Sequence, residues 1–557
     1  MTHSPSSKFA ATLVLLTLLT GLAAAQFKIG SGNTAIADPP VPRPKTTPCV
    51  VSLYKGFKFN NFNPQSFNYT PPAACPGPWA KVILEVNLSI TKGIQFDRTA
   101  NIWIGPTNVY FGTTAEDDPS DGRHWHVERD LTDYSSIFTE SQVGTVDLGN
   151  EVNKMYTGIL DGSATLLFYP LAPNQTPPTT ADQVIAFSGG PTGGPVALNS
   201  GTDLLEQTIT LPQNIRSVFF DVYAQSQFDD EFWYTCVPND VASELESCPG
   251  TAFRESEVTI DGTPAGVAPV YPWVYTGGID PFLWIPIPGV QTLNFKPYRV
   301  NLTPFASLLD DGQPHTIALS VFNSDDYFSA TASLLLYFDK NATQLSGGIT
   351  QNTLAVPNPS IKESIHVSKN GFVDGSVTTK SGHNFEITGY INTPSGPVTT
   401  TVAQNINFSS IESFKINNVE YIQNINQNTT VKSVVTTDGP NGKYVNDVNR
   451  NWPFLMNITV VVNSDGSESQ TTTSNQYFEV DAEASHNKQP TSFSLLQDRV
   501  ITTDTLNFDA GGNFTGNTNQ SSAQNFFESN SAGYCFSRDL TGAANVLTGV
   551  TNGVGCN

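Results

Sequence analysis

The clearest periodic segment in the chain is Leu84-Glu85-Val86-Asn87-Leu88-Ser89-Ile90, in which the even positions are apolar and the odd ones polar. Alternation of this kind sends successive side chains to opposite faces of a strand, so the segment predicts a sheet with one wet side that carries Asn87. Further strands are predicted at residues 102–104, 164–169, 217–224, 257–260, 316–322 and 333–338. Asp261-Gly262, Asn370-Gly371 and Asp465-Gly466 are turn signals beside them. Asn, Ser, Thr, Gly and Pro punctuate the chain at short intervals, and no window keeps a 3.6-residue apolar period long enough for a helix. The fold class is therefore all-β.

Interruptions in this pattern divide the chain. A Pro/Thr-rich stretch at residues 172–180 and a Gly/Pro stretch at 189–195 separate two aromatic-rich blocks, giving one β-domain at 46–190 and a second at 200–345. Beyond about residue 357 the aromatics thin out, Asn, Ser and Thr dominate, and strands such as 458–462 look short and polar-flanked. Residues 358–557 are read as a β-rich C-terminal region away from the chemistry, since six of the seven tryptophans, Trp79 to Trp284, precede it and only Trp452 falls inside.

The N-terminus has a different pattern. Lys8 precedes an apolar run from Phe9 to Leu22, and Ala23-Ala24-Ala25 offers a small-residue cleavage site. Residues 1–25 read as a secretory signal peptide and 26–45 as a linker. No other segment approaches the roughly 18 apolar residues of a membrane helix. The six cysteines suit an oxidising route and fall as three close pairs, Cys49 with Cys75, Cys236 with Cys248 and Cys535 with Cys556, for which local closure is expected. Ten glycosylation sequons stand at Asn68, Asn87, Asn174, Asn301, Asn341, Asn407, Asn428, Asn457, Asn513 and Asn519. The expected location is extracellular, or an acidic lumen such as a vacuole.

Composition narrows the partners. The 557 residues hold 27 Lys and Arg against 50 Asp and Glu, a net charge of −23. A surface of that sign repels phosphate backbones and anionic bilayers, so neither nucleic acid nor membrane is expected as a partner.

Three segments carry candidate chemistry. Gly93 to Ile104 places Asp97 and Arg98 at the head of an aromatic strand, although an Asp-Arg pair taken alone more often caps a loop or forms an ion pair. Gln227-Phe228-Asp229-Asp230-Glu231-Phe232-Trp233-Tyr234 sets three acids among four aromatic residues. Crowding of like charges against apolar rings raises a carboxyl pKa, which is what lets the acid donate a proton. Tyr275 to Trp284 is a Gly-Gly turn bearing Asp280 beside Trp284, a candidate lining for a saccharide cleft or a loop packed by its own aromatics. His124-Trp125-His126-Val127-Glu128 has metal-ligand types on one strand face, but no further ligands are identifiable, and the turn Glu116 to Gly122 lacks the full spacing of a calcium loop. No metal and no cofactor are expected. Neither a Gly-x-Ser-x-Gly elbow nor a Walker A sequence occurs.

Trp79-Ala80-Lys81-Val82-Ile83-Leu84-Glu85, Gly93 to Ile104, Thr113-Thr114-Ala115-Glu116, Trp125 to Asp130, Asp230 to Tyr234 and Tyr275 to Trp284 together resemble the peptide:N-glycanase A family over roughly residues 45–345. The resemblance implies hydrolysis of the amide between an N-linked glycan and Asn in a glycosylated peptide or protein. That reaction leaves Asp and a glycosylamine. A fainter resemblance to bacterial peptide:N-glycanase F implies two jelly-roll sandwiches side by side with the site between them. On that pattern Asp97 is the principal catalytic acid and Glu231 the second, while the third acid of the bacterial site has no matching Glu here, so that Glu116 or Asp161 replaces it or the role is absent. Arg98 is expected to keep Asp97 ionised or grip a peptide carbonyl, Trp233 and Trp284 to offer stacking faces, and Asp230 and Asp280 to line the substrate site. The resemblance also implies a monomer or a nicked two-chain form, with residues 341–357 as the place for the cut. Two other readings fit the same residues: a glycan-binding sandwich without turnover, and a glycoside hydrolase with carboxylates about 5 to 9.5 Å apart.

Overall fold

A computed structural model describes residues 27–556, so the expected signal peptide lies outside the described residues. The first β-domain is a sandwich of two four-stranded sheets. One is ordered Cys49–Phe59, Leu160–Pro170, Trp79–Ile90, Arg123–Asp130, and the other Gln65–Tyr69, Gln142–Asp147, Thr99–Ile104, Thr107–Thr113. Numbered along the chain, these orders are 1-8-3-6 and 2-7-4-5, those of a jelly roll. The alternation read at residues 84–90 places Leu84, Val86, Leu88 and Ile90 in the core and leaves Asn87 exposed.

The second domain repeats the same order. Val196–Leu198, Tyr327–Phe338, Ile215–Gln227 and Tyr298–Asn301 face Leu205–Thr210, Pro314–Phe322, Glu255–Ile260 and Thr263–Pro269. Its boundary is earlier than the composition suggested. Gln183–Phe187, expected in the first domain, pairs with Tyr327–Phe338 of the second. The expected linker is pinned as well: Arg43 bridges Glu85 and Glu128, Val41 donates its N–H to Glu128, and the Ala37 N–H reaches Gln524.

The C-terminal region differs most from expectation. It is one eleven-stranded antiparallel sheet whose central strands run for 17 to 22 residues. It begins at Ser346–Asn352, so its first strand lies inside the segment expected to be cut. Residues 458–462 are the end of the 21-residue strand Gly442–Val462. Its inner face continues the core of the second sandwich: Trp233 and Phe253 pack on Phe408, Tyr234 on Phe454, and Tyr271 on Trp452 and Phe478. Each such side chain contributes about 1.5–3 kcal/mol by leaving water, so the sheet is fused to the second sandwich.

All three expected cysteine pairs are bridged: Cys49–Cys75, Cys236–Cys248 and Cys535–Cys556. The last joins the head of the strand Cys535–Ala543 to the chain beyond the final strand Val546–Asn552. That final strand also exchanges backbone hydrogen bonds with Gly30 and Ser31 through Leu547. Eight sequon asparagines are exposed, while Asn301 and Asn428 are half-buried.

Candidate active site

Asp97 lies in the loop between the strands Trp79–Ile90 and Thr99–Ile104. This loop is fixed by its own polar groups. The buried Gln95 side chain donates to Glu151 O at 2.9 Å and Gly158 O at 3.0 Å, and its N–H donates to the Asp117 carboxylate. Arg98 and Thr114 exchange two bonds of 2.9 and 2.8 Å. Asp97 is thereby set beside Glu116 and Asp117, which follow the strand Thr107–Thr113.

Glu231 arrives from the second sandwich. The strand Ile215–Gln227 ends in the turn Phe228–Asp230, which the Glu231 N–H closes on Phe228 O at 2.8 Å. Asp230, expected at the substrate, is fully buried instead. Its carboxylate takes two bonds of 2.8 and 2.7 Å from Arg254 and two more from the N–H groups of Asp325 and Asp326. It anchors the turn that presents Glu231.

The third contributor is the Tyr275–Trp284 loop. Gly277 has φ +84°, and a Cβ there would stand 2.5 Å from Asp97 Oδ1, so only glycine lets this backbone approach the acid. Thr276 Oγ1 donates to Thr114 O, tying the loop to the first sandwich. Trp284 is buried and its indole N–H donates to Gly278 O at 3.0 Å, while Trp233 is buried in the core. Neither ring is available as the expected stacking face. Asp280 is buried too, capping the turn Pro281–Trp284 through Phe282 N. Asp161 lies on the strand Leu160–Pro170 between Lys58 and Ser89, where its charge bears on Tyr54 rather than on Asp97.

Electrostatics link what the fold gathers. Burial pushes the Asp97 carboxyl up to about 6, against the pull of its own backbone N–H and of Arg98. Burial, then the Asp97 charge, raises Glu231 to about 7. The same two causes carry Glu116 well above the usual carboxylate range, and its Oε2 is buried without a protein partner. Arg98 forms no ion pair with these acids; its guanidinium lies 5.5 Å from the rings of Phe62 and Phe96, with Nε buried and unpartnered.

Exposed aromatics flank this cluster, and the sequence reasoning missed them. Phe62 and Phe96 are 60% and 53% exposed on the first sandwich, with the Tyr156 ring tilted against Phe96 at 4.7 Å. Phe228, 71% exposed and held at φ +50°, meets Tyr327 at 5.6 Å on the second. A solvent-facing phenylalanine on a strained backbone leaves no mark in the sequence that sets it apart from a core ring. The His124–Glu128 strand lies apart from these acids: burial pushes Glu128 up, but hydrogen bonds from His126 and then Arg43 hold it at about 2. The turn after Glu116 is closed by Asp118 on Ser120, Asp121 and Arg123. A separate aromatic crevice of about 190 Å³, lined by Tyr271, Trp273, Trp452 and Phe478, shares no residue with the acids.

Two jelly rolls that bring half-buried acids together where they meet define a class of paired β-sandwich protein. Residues 39–355 match the family described as Peptide N-acetyl-beta-D-glucosaminyl asparaginase amidase A, and the chain belongs to that family. A curated relative, peptide-N4-(N-acetyl-beta-glucosaminyl)asparagine amidase A of Prunus dulcis, is 30% identical over 399 residues, covering 67% of each chain. By family the protein is an amidase of N-glycosylated peptides. Among solved structures, PNGase F, a glycosylasparaginase from Flavobacterium meningosepticum, aligns at 12% identity and a TM-score of 0.36 over 52% of this chain and 96% of that one. A structure of PNGF-II aligns at 12% and 0.37, over 52% and 66%.

Proposed function

We propose that the protein hydrolyses the amide joining the first GlcNAc of an N-linked glycan to Asn, with Asp97, Glu231 and Glu116 as the reacting acids. The observation that carries this reading is the convergence of three half-buried carboxyls from two sandwiches, each raised by loss of water, in a member of an amidase family. Asp97 has the lowest pKa of the three, so it ionises first, and its charge then favours the protonated forms of the other two. Ionised Asp97 takes a proton from a water that attacks the side-chain amide carbon of Asn. Glu116 donates a hydrogen bond to the carbonyl oxygen as charge develops there, and Glu231 gives its proton to the departing nitrogen. The carbon–nitrogen bond breaks, leaving Asp in the peptide and a glycosylamine, which loses ammonia in water. Arg98, free of carboxylate partners, takes a peptide carbonyl. The apolar N-terminal run and the sequons support an exported enzyme acting in the extracellular space or an acidic lumen.

The test is the mass of a glycopeptide before and after incubation. Conversion of Asn to Asp, with loss of the whole glycan, is the expected product. Cleavage between sugars would instead indicate a glycoside hydrolase, and an unchanged mass a binding protein. Asp97→Asn should lower kcat by about 10³-fold or more while the fold melts as wild type does; wild-type turnover in that variant would remove Asp97 from the mechanism.

A further inference from the structure

Residues 270–297 form no strand, yet only Lys296 in the segment is exposed. A buried irregular backbone has no ladder to satisfy its N–H and C=O groups, and each one left bare costs about 1–3 kcal/mol. The partners come from the two bodies on either side. The first sandwich supplies Tyr110 Oη to Leu293 O at 2.7 Å and Thr113 N to Thr292 O at 2.8 Å. The long C-terminal sheet supplies side chains: Gln470 to Ile279 O at 3.3 Å, Thr502 to Leu283 O at 2.7 Å, Gln520 to Ile285 O at 2.6 Å, and Gln476 accepting from Val290 N at 3.0 Å.

This explains a sheet face that is otherwise anomalous, for Gln476, Thr502, Asp504 and Gln520 are buried where apolar residues would ordinarily pack. Two contacts reach the catalytic loops directly. Asp504, itself bonded by Asn517 at 2.8 Å, meets the carboxyl of Asp280, three residues beyond Gly277. Burial raises both carboxyls, and the Oδ2 of each is buried with no other protein partner, so the pair shares a proton. Gln423 donates to Thr235 O at 2.9 Å, four residues beyond Glu231, and to the buried Glu412 at 2.8 Å.

We propose that the long C-terminal sheet is a template for the active site, with Asp504 and Gln423 as positioning residues that set Gly277 and Glu231 against Asp97. The sheet then contributes to turnover without touching substrate. Its effect on rate rests on the amidase reading; its effect on the loops does not.

The experiment uses the full chain and the variants Asp504→Leu, Asp504→Asn and Gln423→Met. It reads amide hydrogen exchange by mass spectrometry, and kcat and KM on a glycopeptide. In Asp504→Leu, exchange across residues 276–285 should quicken about 10-fold and kcat fall about 10-fold or more with KM within about twofold, since misplacement of reacting groups is felt in the chemical step. Asp504→Asn, whose amide replaces the shared proton as the donor, should restore both. Gln423→Met should give the same signature across residues 229–236, and it provides the reading if Asp504→Leu does not fold. Unchanged exchange and kcat, or an Asn variant as impaired as the Leu one, would overturn the proposal. Local loosening with no turnover even in wild type would uphold the template and count against the amidase assignment.

Discussion

Asp97 and Glu231 were legible as residues because each stands in an unusual string, an acid heading an aromatic strand and three acids among aromatic rings. What no string reveals is which neighbouring acid points where. Asp230 and Glu231 are adjacent, yet one is sealed against Arg254 and the other stands in the site. The order in which Asp97 and Glu231 ionise sets the expected pH dependence. On the proposed mechanism Asp97 acts charged and Glu231 protonated, so kcat should rise as pH climbs through about 6 and fall beyond about 7. A profile measured on one glycopeptide checks this, and Glu231→Gln should flatten the upper limb while lowering the rate about 100-fold. Gly277→Ala makes a sharper prediction. Its Cβ would stand 2.5 Å from Asp97 Oδ1 on a backbone at φ +84°, so kcat should drop severely although no ionisable group changes.

At the scale of elements, strands with one apolar face declared themselves, and the segment 84–90 is placed as its alternation requires. The long strands did not. In Gly396–Asn417 the buried positions run Thr400, Val402, Gln404, Ile406, Phe408, Ser410, Glu412, Phe414, Ile416. Polar residues at four inward places erase the period-two signal from the sequence; two of them are held by the neighbouring strand, Gln404 donating to Ser433 and Glu412 accepting from Gln423. The turn carrying Glu231 rests on another such group. Asp230→Ala would leave Arg254 buried without its counter-charge, and should cost about 3–5 kcal/mol in denaturant unfolding.

For the whole molecule, buried carboxyls at the seam between the sandwiches and the long sheet set a second pH dependence. Burial holds Asp280 up at about 7 and Glu412 at about 8. These groups keep their protons in the fold after the unfolded chain has released them. Their contribution is therefore complete below about pH 4, declines as pH rises, and is lost by about pH 8. The melting temperature should be higher at pH 5 than at pH 8, and Glu412→Gln should narrow the gap; an equal or higher value at pH 8 would contradict the assignment. The three bodies were visible in composition, but their seam was not, because it is made by residues far apart in the chain. The outermost strand Val546–Asn552 shows what such a large sheet demands. An unpaired strand margin recruits other chains, and here the Cys535–Cys556 bridge and the crossing of Gly30 and Ser31 over Leu547 obstruct that margin. A reducing medium would remove the first of these two obstructions, so misassembly into β-stacked polymers, rather than simple unfolding, is the failure this architecture invites when the protein is made where disulfides cannot form.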